Sequence, residues 1–274
     1  GLYSAVALKI LPSANQIINN FNTLKFVKSS LDCLFSEFSK YHIVEADNDK
    51  QSSNYTFNNS IELNDLSFKY TLAKKEIFKN VNLKIKNSSL VAIIGSSGAG
   101  KSTLVDIIMG LLKPTAGKIL IDGKELLDNI KDWQLKIGYV PQNIYLFDDT
   151  VRNNIALGIK SNDIDDKLIN SVVEKTQLKE LINSLPQGLD TFIGERGLRI
   201  SGGQKQRIGL ARALYLNPKI LILDEATNAL DISTEEAILN DIKNIKEITI
   251  IYITHKKKLA DECDIIIDID KIKF

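Results

Sequence analysis

The stretch Gly95-Ser96-Ser97-Gly98-Ala99-Gly100-Lys101-Ser102 decides the fold of this chain, because it fits the phosphate-binding pattern G-x-x-x-x-G-K-[ST]. An apolar run at residues 90–94 predicts a buried strand before it, and residues 103–109 predict a helix after it. The glycines allow backbone N–H groups to close around a polyphosphate, and the helix N-terminus favours negative charge. Lys101 is expected to reach the outer phosphates, and the Ser102 hydroxyl is expected to bind Mg²⁺.

The bulk composition is that of a globular protein with a sizeable core. The 274 residues suffice for one large domain and an appendage, with 44% hydrophobic and 25% charged residues. A formal net charge of +1 gives no indication of a nucleic-acid or anionic-membrane surface. Cys33 and Cys263 are far apart and have no metal-binding spacing, which is typical of a reducing compartment.

The first part of the chain differs in pattern from the rest. Apolar residues recur at helical spacing over residues 10–38, and a polar segment typical of a linker follows at residues 45–60. No stretch reaches the ~20 apolar residues of a membrane-spanning helix. We interpret the apolar residues 1–8 as the last turns of such a helix; the alternative is a short amphipathic helix in a complete soluble protein.

Two kinds of strand pattern follow the linker. Alternating apolar residues at 61–68 and 81–85 predict antiparallel strands with one buried face. Continuous β-branched runs at 220–223, 248–253 and 265–269 predict central strands of a parallel sheet that is covered on both faces. Residues 118–121 predict another strand, and residues 164–184 have a helical pattern.

Two acids end the apolar run at residues 220–223. Asp224 at the end of this strand is expected to hold Mg²⁺, directly or through water, beside Ser102. Glu225 is the candidate for polarising the attacking water. The two carboxylates therefore serve separate tasks, one towards the metal and one towards the nucleophile.

Ser201-Gly202-Gly203-Gln204 predicts a second anion site, because a hydroxyl, a flexible backbone and a helix N-terminus coincide there. One chain needs only one phosphate-binding surface for its own nucleotide. The simplest explanation is a head-to-tail pair, in which this surface closes over the nucleotide that the other subunit holds.

The order of these motifs resembles that of the ATP-binding cassette (ABC) transporters, and within them the exporter type. The resemblance covers nearly all of the chain and is carried by residues 95–102, 140–142, 201–204, 224–225, 228–231 and 254–255. Ile200 stands where the family signature usually has Leu, and Asn228 stands where Ser is common. Neither departure removes a phosphate ligand.

The resemblance implies roles for single residues that would be uninformative alone. Tyr70 matches the aromatic residue that stacks on adenine, a contact worth about 1–3 kcal/mol by analogy with other base-stacking sites. Gln142 matches the glutamine that senses Mg²⁺ and the attacking water. His255 matches the histidine that contacts the γ-phosphate and holds Glu225 in place, and Asp231 matches the residue that crosses the dimer interface.

The predicted catalytic residues are Glu225, His255 and Gln142, and the predicted Mg²⁺ ligands are Ser102, Gln142 and Asp224. The residues predicted to bind ATP are Tyr70, Gly95, Ser96, Ser97, Gly98, Ala99, Gly100, Lys101, Ser102, Thr103, Ser201, Gly202, Gly203, Gln204 and Asp231.

The implied fold class is α/β. It comprises a P-loop NTPase core with an antiparallel β subdomain and a helical signature subdomain at about residues 143–204, preceded by a long N-terminal helix. The implied domains are residues 1–45, the end and cytoplasmic extension of the last transmembrane helix; residues 46–60, a linker; and residues 61–274, the nucleotide-binding domain.

The implied function is ATP hydrolysis that drives export or flipping of a substrate across a membrane. Residues 8–17 are similar to a segment of exporters that flip lipid-linked saccharides; lipids and peptides are the other candidate cargoes. The expected partners are a second nucleotide-binding domain, with a homodimer as the simplest pair, and a transmembrane domain on the same full-length chain, with no nucleic acid. The expected location is the inner membrane, with this domain on the cytoplasmic face.

Three alternatives stay open at this point. They are a non-transport ABC ATPase of DNA repair or translation, the ATPase subunit of an importer, and a nucleotide-binding regulatory module without catalysis. The leading helical segment disfavours the first two, and the presence of both Glu225 and His255 disfavours the third.

Overall fold

The structure, a computed structural model, describes residues 2–40, 57–71, 73, 75–128, 130–194, 200–226, 232–243, 245 and 248–272. The chain divides into two units, residues 1–51 and residues 52–274. The first unit contains α1 (Leu2–Lys40), which confirms the helix predicted from the apolar spacing. Over the described ranges, no helix combines the length and the apolar character that membrane crossing requires.

The second unit mixes strands and helices. Its strands are β1 (Ser60–Phe68), β2 (Phe78–Lys86), β3 (Leu90–Ile94), β4 (Ala116–Ile121), β5 (Lys124–Glu125), β6 (Ile137–Val140), β7 (Ile220–Asp224), β8 (Thr249–Ile253) and β9 (Ile265–Asp268). Its α-helices are α2 (Lys101–Ile108), α3 (Ile130–Gln134), α4 (Val151–Ile155), α5 (Asp166–Lys175), α6 (Lys179–Ser184), α7 (Gly202–Tyr215), α8 (Ile232–Lys243), α9 (Lys257–Asp261) and α10 (Ile269–Ile272).

A parallel sheet with the strand order β6-β7-β8-β3-β9 forms the middle layer of this unit. Ile220 and Ile222 of β7 pack in one hydrophobic core with α2, whereas Leu221 and Leu223 pack in a second core with α7 and α8. Successive side chains of a strand point to opposite faces, so both faces require apolar residues. This burial explains the unalternating apolar runs and confirms the predicted parallel sheet and α/β fold class.

An antiparallel sheet with the order β2-β1-β4-β5 packs on the side of α2. Ile61 pairs with Ile85 and Leu63 with Leu83, which confirms the antiparallel strands that the alternating pattern predicted. The inward residues Ile61, Leu63 and Leu66 are fully buried in the core that also contains α2. This core fixes the helix of the P-loop against both sheets.

The helical pattern over residues 164–184 is confirmed, but the structure divides it into two helices, because α5 ends at Lys175 and α6 starts at Lys179. Gln177 adopts the left-handed conformation with φ +53°. The N–H of Leu178 donates to the carbonyl of Val173, and the N–H of Gln177 donates to that of Glu174. This is the Schellman motif, which usually has glycine at the left-handed position. Gln177 occupies that position here, so no glycine marks this helix end in the sequence.

Gly117 of β4 provides a test of how tightly the antiparallel sheet is packed. Its φ is +80°, and a Cβ there would lie 2.4 Å from the carbonyl oxygen of Asp65. Gly123 has a φ of +81°, but a Cβ there would meet no atom within 4 Å. Both alanine variants carry left-handed strain of about 1–2 kcal/mol. Only Gly117→Ala adds a clash with rigid backbone, so we expect it to lose about 1–3 kcal/mol more.

Denaturant unfolding of the two alanine variants measures this difference. Equal losses of unfolding free energy would contradict the close approach of β4 to β1.

Candidate active site

The P-loop connects β3 to α2, and residues 95–103 lie in this loop and in the first turn of α2, as predicted. Gly100 precedes α2 with φ +106°. A Cβ at Gly100 would come 2.7 Å from Ile77 and 3.2 Å from Phe78, so only glycine fits without displacement of these side chains. The first N–H groups of α2 lack intrahelical acceptors, and this end of the helix is therefore suited to phosphate.

Lys101 is folded back onto its own loop. Its Nζ donates to the carbonyl oxygen of Gly95 at 2.9 Å and to that of Ser96 at 3.0 Å. The residue is 8% exposed, so these carbonyls supply acceptors that water would otherwise provide. A phosphate group replaces such acceptors readily, because its charged oxygens bind an ammonium more strongly than neutral carbonyls do.

Asp270, at the start of α10, holds the P-loop from the other side. Its Oδ2 accepts from the backbone N–H of Ser96 at 2.7 Å, and its Oδ1 accepts from the Ser96 hydroxyl at 2.9 Å. The N–H of Ser96 and the carbonyl of Gly95 belong to one trans peptide and point in opposite directions. Asp270 thus orients the carbonyl that binds Lys101. Sequence analysis missed Asp270; its signal is an acid two residues after the end of β9, the parallel neighbour of β3.

The parallel sheet brings the predicted acids to the edge where the P-loop lies. In parallel strands the carboxyl ends meet at one edge, so Asp224 at the end of β7 and His255 after β8 converge with the P-loop after β3. Asp224 is in register with Ile253 of β8. Burial raises the pKa of Asp224 above its ordinary value, and the neighbouring charge of Glu225 adds to this rise.

Tyr139 of β6 is a further group at this edge that sequence analysis missed. Its hydroxyl donates to Oδ2 of Asp224 at 3.3 Å, and this bond opposes the rise in the pKa of Asp224. Burial, together with the charge of Asp224, raises the pKa of Tyr139 to about 12. Tyr139 therefore stays protonated near neutral pH and acts only as a donor towards Asp224.

Glu225 is held through both of its carboxylate oxygens. Nε2 of Gln142 donates to Oε2 at 2.9 Å, and Nε2 of His255 lies 2.9 Å from Oε1. The Glu225 side chain is 17% exposed, whereas that of His255 is 51% exposed. The structure thus brings together the three residues that were predicted to be catalytic.

The backbone of Glu225 is also unusual. Its φ of +49° lies in the left-handed region, which costs a residue with a Cβ about 1–3 kcal/mol when it persists at a functional site. Its N–H donates to the carbonyl of Ile253 in β8 at 3.1 Å, which holds the strained turn. This turn ends β7 directly after Asp224.

The residues predicted to hold Mg²⁺ fit a hard cation. Ser102 and Asp224 supply oxygen ligands, and Mg²⁺ in nucleotide sites takes few protein oxygens and completes its shell with phosphate and water. Burial raises the pKa of Asp224 although Tyr139 and Lys101 oppose this rise, and a bound cation would favour the charged carboxylate. Gln142, also predicted as a ligand, donates its Nε2 to Glu225, and its role as a ligand stays a prediction.

Tyr70 lies next to the P-loop helix. Its hydroxyl shares a hydrogen bond of 3.2 Å with that of Thr103, and its ring packs edge-on against Phe68 with centroids 5.0 Å apart. The residue is 42% exposed, so part of the ring surface is open to a ligand. This position agrees with the predicted adenine contact.

The signature residues 201–204 begin α7 and bond among themselves. The Ser201 hydroxyl accepts from the N–H of Gln204 at 3.3 Å, and Oε1 of Gln204 accepts from the N–H of Ser201 at 2.9 Å. This capping box gives both residues a structural role in α7. Ser201 and Gly202 are exposed, so they remain accessible to a second molecule. Asp231, the predicted interface residue, lies outside the described residues.

Asn154 links the segment after Gln142 to α7. It is fully buried, and its Oδ1 accepts from the N–H of Phe147 at 2.9 Å. Arg212 of α7 donates to the carbonyl oxygens of Asn154 at 2.8 Å and Tyr145 at 3.0 Å. These hydrogen bonds, centred on the buried Asn154, tie the segment that follows Gln142 to the helix that Ser201 caps.

The contact of Asp270 with the P-loop predicts an effect on nucleotide affinity. We expect Asp270→Ala to weaken ATP binding several-fold, because a loop that samples other conformations loses affinity in proportion to its competent fraction. Ser96→Ala removes only the hydroxyl contact and should weaken binding less, with no further loss in the Asp270→Ala background. Equilibrium binding of ATP measures both, with the exposed Asp261→Ala as the charge control. Wild-type affinity in Asp270→Ala would contradict the role of this contact.

Comparison with known proteins agrees with this geometry. The chain is 42% identical over 200 residues to the mitochondrial iron-sulfur clusters transporter ATM1 of Saccharomyces cerevisiae, covering 72% of the chain and 29% of that protein. It is 40% identical over 212 residues to the ATP-dependent lipid A-core flippase of Aromatoleum aromaticum, covering 77% of the chain and 35% of that protein. A solved bacterial Atm1-family ABC exporter with ATP bound matches with a TM-score of 0.78 and 34% identity, over 89% of the chain and 43% of that structure.

The family model of the ABC transporters matches residues 78–228, which include the P-loop, the signature residues and the Asp224-Glu225 pair. The chain spans less than half the length of each of these relatives. With the motifs, the sheet topology and the site geometry in agreement, this chain belongs to the ABC transporter family and carries its ATPase domain.

Proposed function

We propose that this chain is the ATP-hydrolysing part of an exporter, in which turnover of MgATP between two such domains drives a substrate across a membrane. The observation that supports this proposal best is the contact of Gln142 and His255 with Glu225, which lies at the same edge of the parallel sheet as the P-loop. The named relatives are a transporter and a flippase, which disfavours a DNA-repair, translation or importer role.

The residues divide the chemistry of hydrolysis among them. Lys101 exchanges the carbonyls of Gly95 and Ser96 for phosphate oxygens, and Tyr70 packs against the base. Glu225 orients a water and takes up its proton as the oxygen attacks the γ-phosphorus; the bond to the β-phosphate oxygen breaks and leaves ADP and phosphate. Bound Mg²⁺, held by Ser102 and Asp224, supplies positive charge against the phosphate oxygens. His255 keeps Glu225 oriented and faces the γ-phosphate.

The catalytic unit that we propose contains two copies of this domain. Ser201, Gly202, Gly203 and Gln204 of one copy would close over the nucleotide in the P-loop of the other, with Asp231 at the interface. The exposure of Ser201 and Gly202 at the start of α7 supports this arrangement. ATP binding draws the two domains together, and hydrolysis allows them to separate. ATP therefore shifts an equilibrium between an associated and a separated pair of domains.

The remaining parts of the proposal concern the whole transporter. Residues 1–45 are the end and cytoplasmic extension of the last transmembrane helix, residues 46–60 a linker, and residues 61–274 the nucleotide-binding domain on the cytoplasmic face of the inner membrane. We propose a lipid-linked saccharide as cargo, with a lipid or a peptide as the competing cargoes. The coding sequence upstream of Gly1 tests the exporter assignment, which requires several further segments of about 20 apolar residues.

Glu225→Gln tests the hydrolytic role. The amide keeps the size of the side chain but cannot accept a proton, so we expect turnover to fall by about 10²-fold or more, because general-base contributions are of that order. ATP affinity should persist, because Lys101 and the P-loop are unchanged. Phosphate release and equilibrium ATP binding measure the two effects, with the exposed Glu180→Gln as the control. Undiminished turnover in Glu225→Gln would remove Glu225 from the mechanism.

Ser201→Asp and Ser201→Asn test the shared site. Both residues are good N-caps, so α7 keeps its start, but only Asp places a negative charge where the partner's phosphate is expected. In the Glu225→Gln background we expect ATP to produce a stable dimer with Asn and none with Asp, as measured by light scattering. Equal ATP-dependent dimerisation of the two variants would argue against a phosphate contact at Ser201.

A further inference from the structure

His255 lies in a short turn whose neighbouring residues are both anchored. On one side, the N–H of Thr254 donates to the carbonyl of Ile93 in β3 at 3.2 Å. On the other side, the N–H of Lys256 donates to the Thr254 hydroxyl at 3.0 Å, and the Lys256 carbonyl accepts from Ala260 in α9 at 3.2 Å. Between these anchors the His255 side chain projects to Glu225.

The strongest contact of this turn is an ion pair with α8. Nζ of Lys256 donates to both carboxylate oxygens of Glu235, at 2.8 Å and 2.7 Å. The Glu235 side chain is only 10% exposed, whereas that of Lys256 is 40% exposed. A buried carboxylate requires a partner charge, so the position of Lys256 depends on the position of α8.

A second ion pair joins the same two segments and serves as a natural comparison. Lys258 lies 2.9 Å from Glu236, but these side chains are 80% and 55% exposed. An exposed pair contributes little, because water and salt screen it and its side chains stay mobile. Both pairs join a lysine at or near the start of α9 to a glutamate of α8. They differ in burial and in how far the lysine lies from His255 along the chain.

We propose that the Lys256–Glu235 ion pair is a positioning device that holds His255 against Glu225 and makes this contact depend on the placement of α8. The inference rests on the proposed hydrolysis by Glu225 and adds two residues that act through His255. α8 begins at Ile232, so Asp231, which we propose at the dimer interface, precedes it directly in the sequence.

The experiment compares kcat and KM for ATP in the full chain with Lys256→Met and Glu235→Gln. Neither residue touches the P-loop contacts of Lys101, so KM should stay near the wild-type value. We expect kcat to fall about tenfold, because displacement of a catalytic group by ~1 Å costs up to 10²-fold. Lys256→Arg preserves a charged pair with the carboxylate and should recover most of kcat. The matched controls Lys258→Met and Glu236→Gln should leave kcat unchanged.

Two further measurements separate positioning from loss of stability. Lys256→Met leaves a buried unpaired carboxylate and should lower the melting temperature, whereas the double variant Lys256→Met/Glu235→Gln should recover it because no uncompensated charge remains. The kcat of the double variant should stay low. In a His255→Ala background, Lys256→Met should cause no additional loss in single-turnover hydrolysis.

The outcomes distinguish this inference from the proposed function. Recovery of both stability and kcat in the double variant, a kcat of Glu235→Gln equal to that of Glu236→Gln, or additional loss in the His255→Ala background would each overturn the positioning role. Glu235→Gln decides the question even where Lys256→Met fails to fold. If the Glu225→Gln variant hydrolysed ATP at the wild-type rate, that result would instead overturn the proposed function.

Discussion

The pairing of β3 with β8, and of β8 with β7, is the constraint on which the site depends. These strands are parallel and buried on both faces, so their register is fixed by two hydrophobic cores at once. Because the strands are parallel, their carboxyl ends bring the P-loop, His255 and Glu225 to the same edge of the sheet. A slip of one residue in β7 would exchange its two sets of apolar side chains and also displace both acids.

Protein groups satisfy the charged side chains of this edge. The Lys101 ammonium is bound by two carbonyls, Glu225 is held between an amide and an imidazole, and Asp224 accepts from Tyr139. Each contact avoids the cost of an unpaired buried group. The site is therefore preorganised, and Lys101 can still exchange partners, because charged phosphate oxygens compete with neutral carbonyls for its ammonium.

The sequence predicted those parts of the molecule that follow from local pattern. The parallel strands, the antiparallel strands and the P-loop were indicated by apolar periodicity or by a motif, whereas the roles of Gln142 and His255 were predicted from the family resemblance. Contacts between distant segments were not: Asp270, Tyr139 and Glu235 carry no motif, and only the fold shows what they touch. The break between α5 and α6 was also missed, because Gln177 occupies a left-handed position where glycine is the usual indication.

The left-handed backbone at Glu225 means that the side chain proposed for hydrolysis also lowers the stability of the fold at that position. Glycine adopts this conformation without steric penalty, so replacement of Glu225 by glycine would relax the turn while it deletes the carboxylate. A search for thermostable variants that scores folding alone would therefore favour glycine at this position, and on the proposed role of Glu225 the resulting domain would be inactive. On the proposed role of Glu225, this backbone strain is the stability cost of keeping a carboxylate directly after β7.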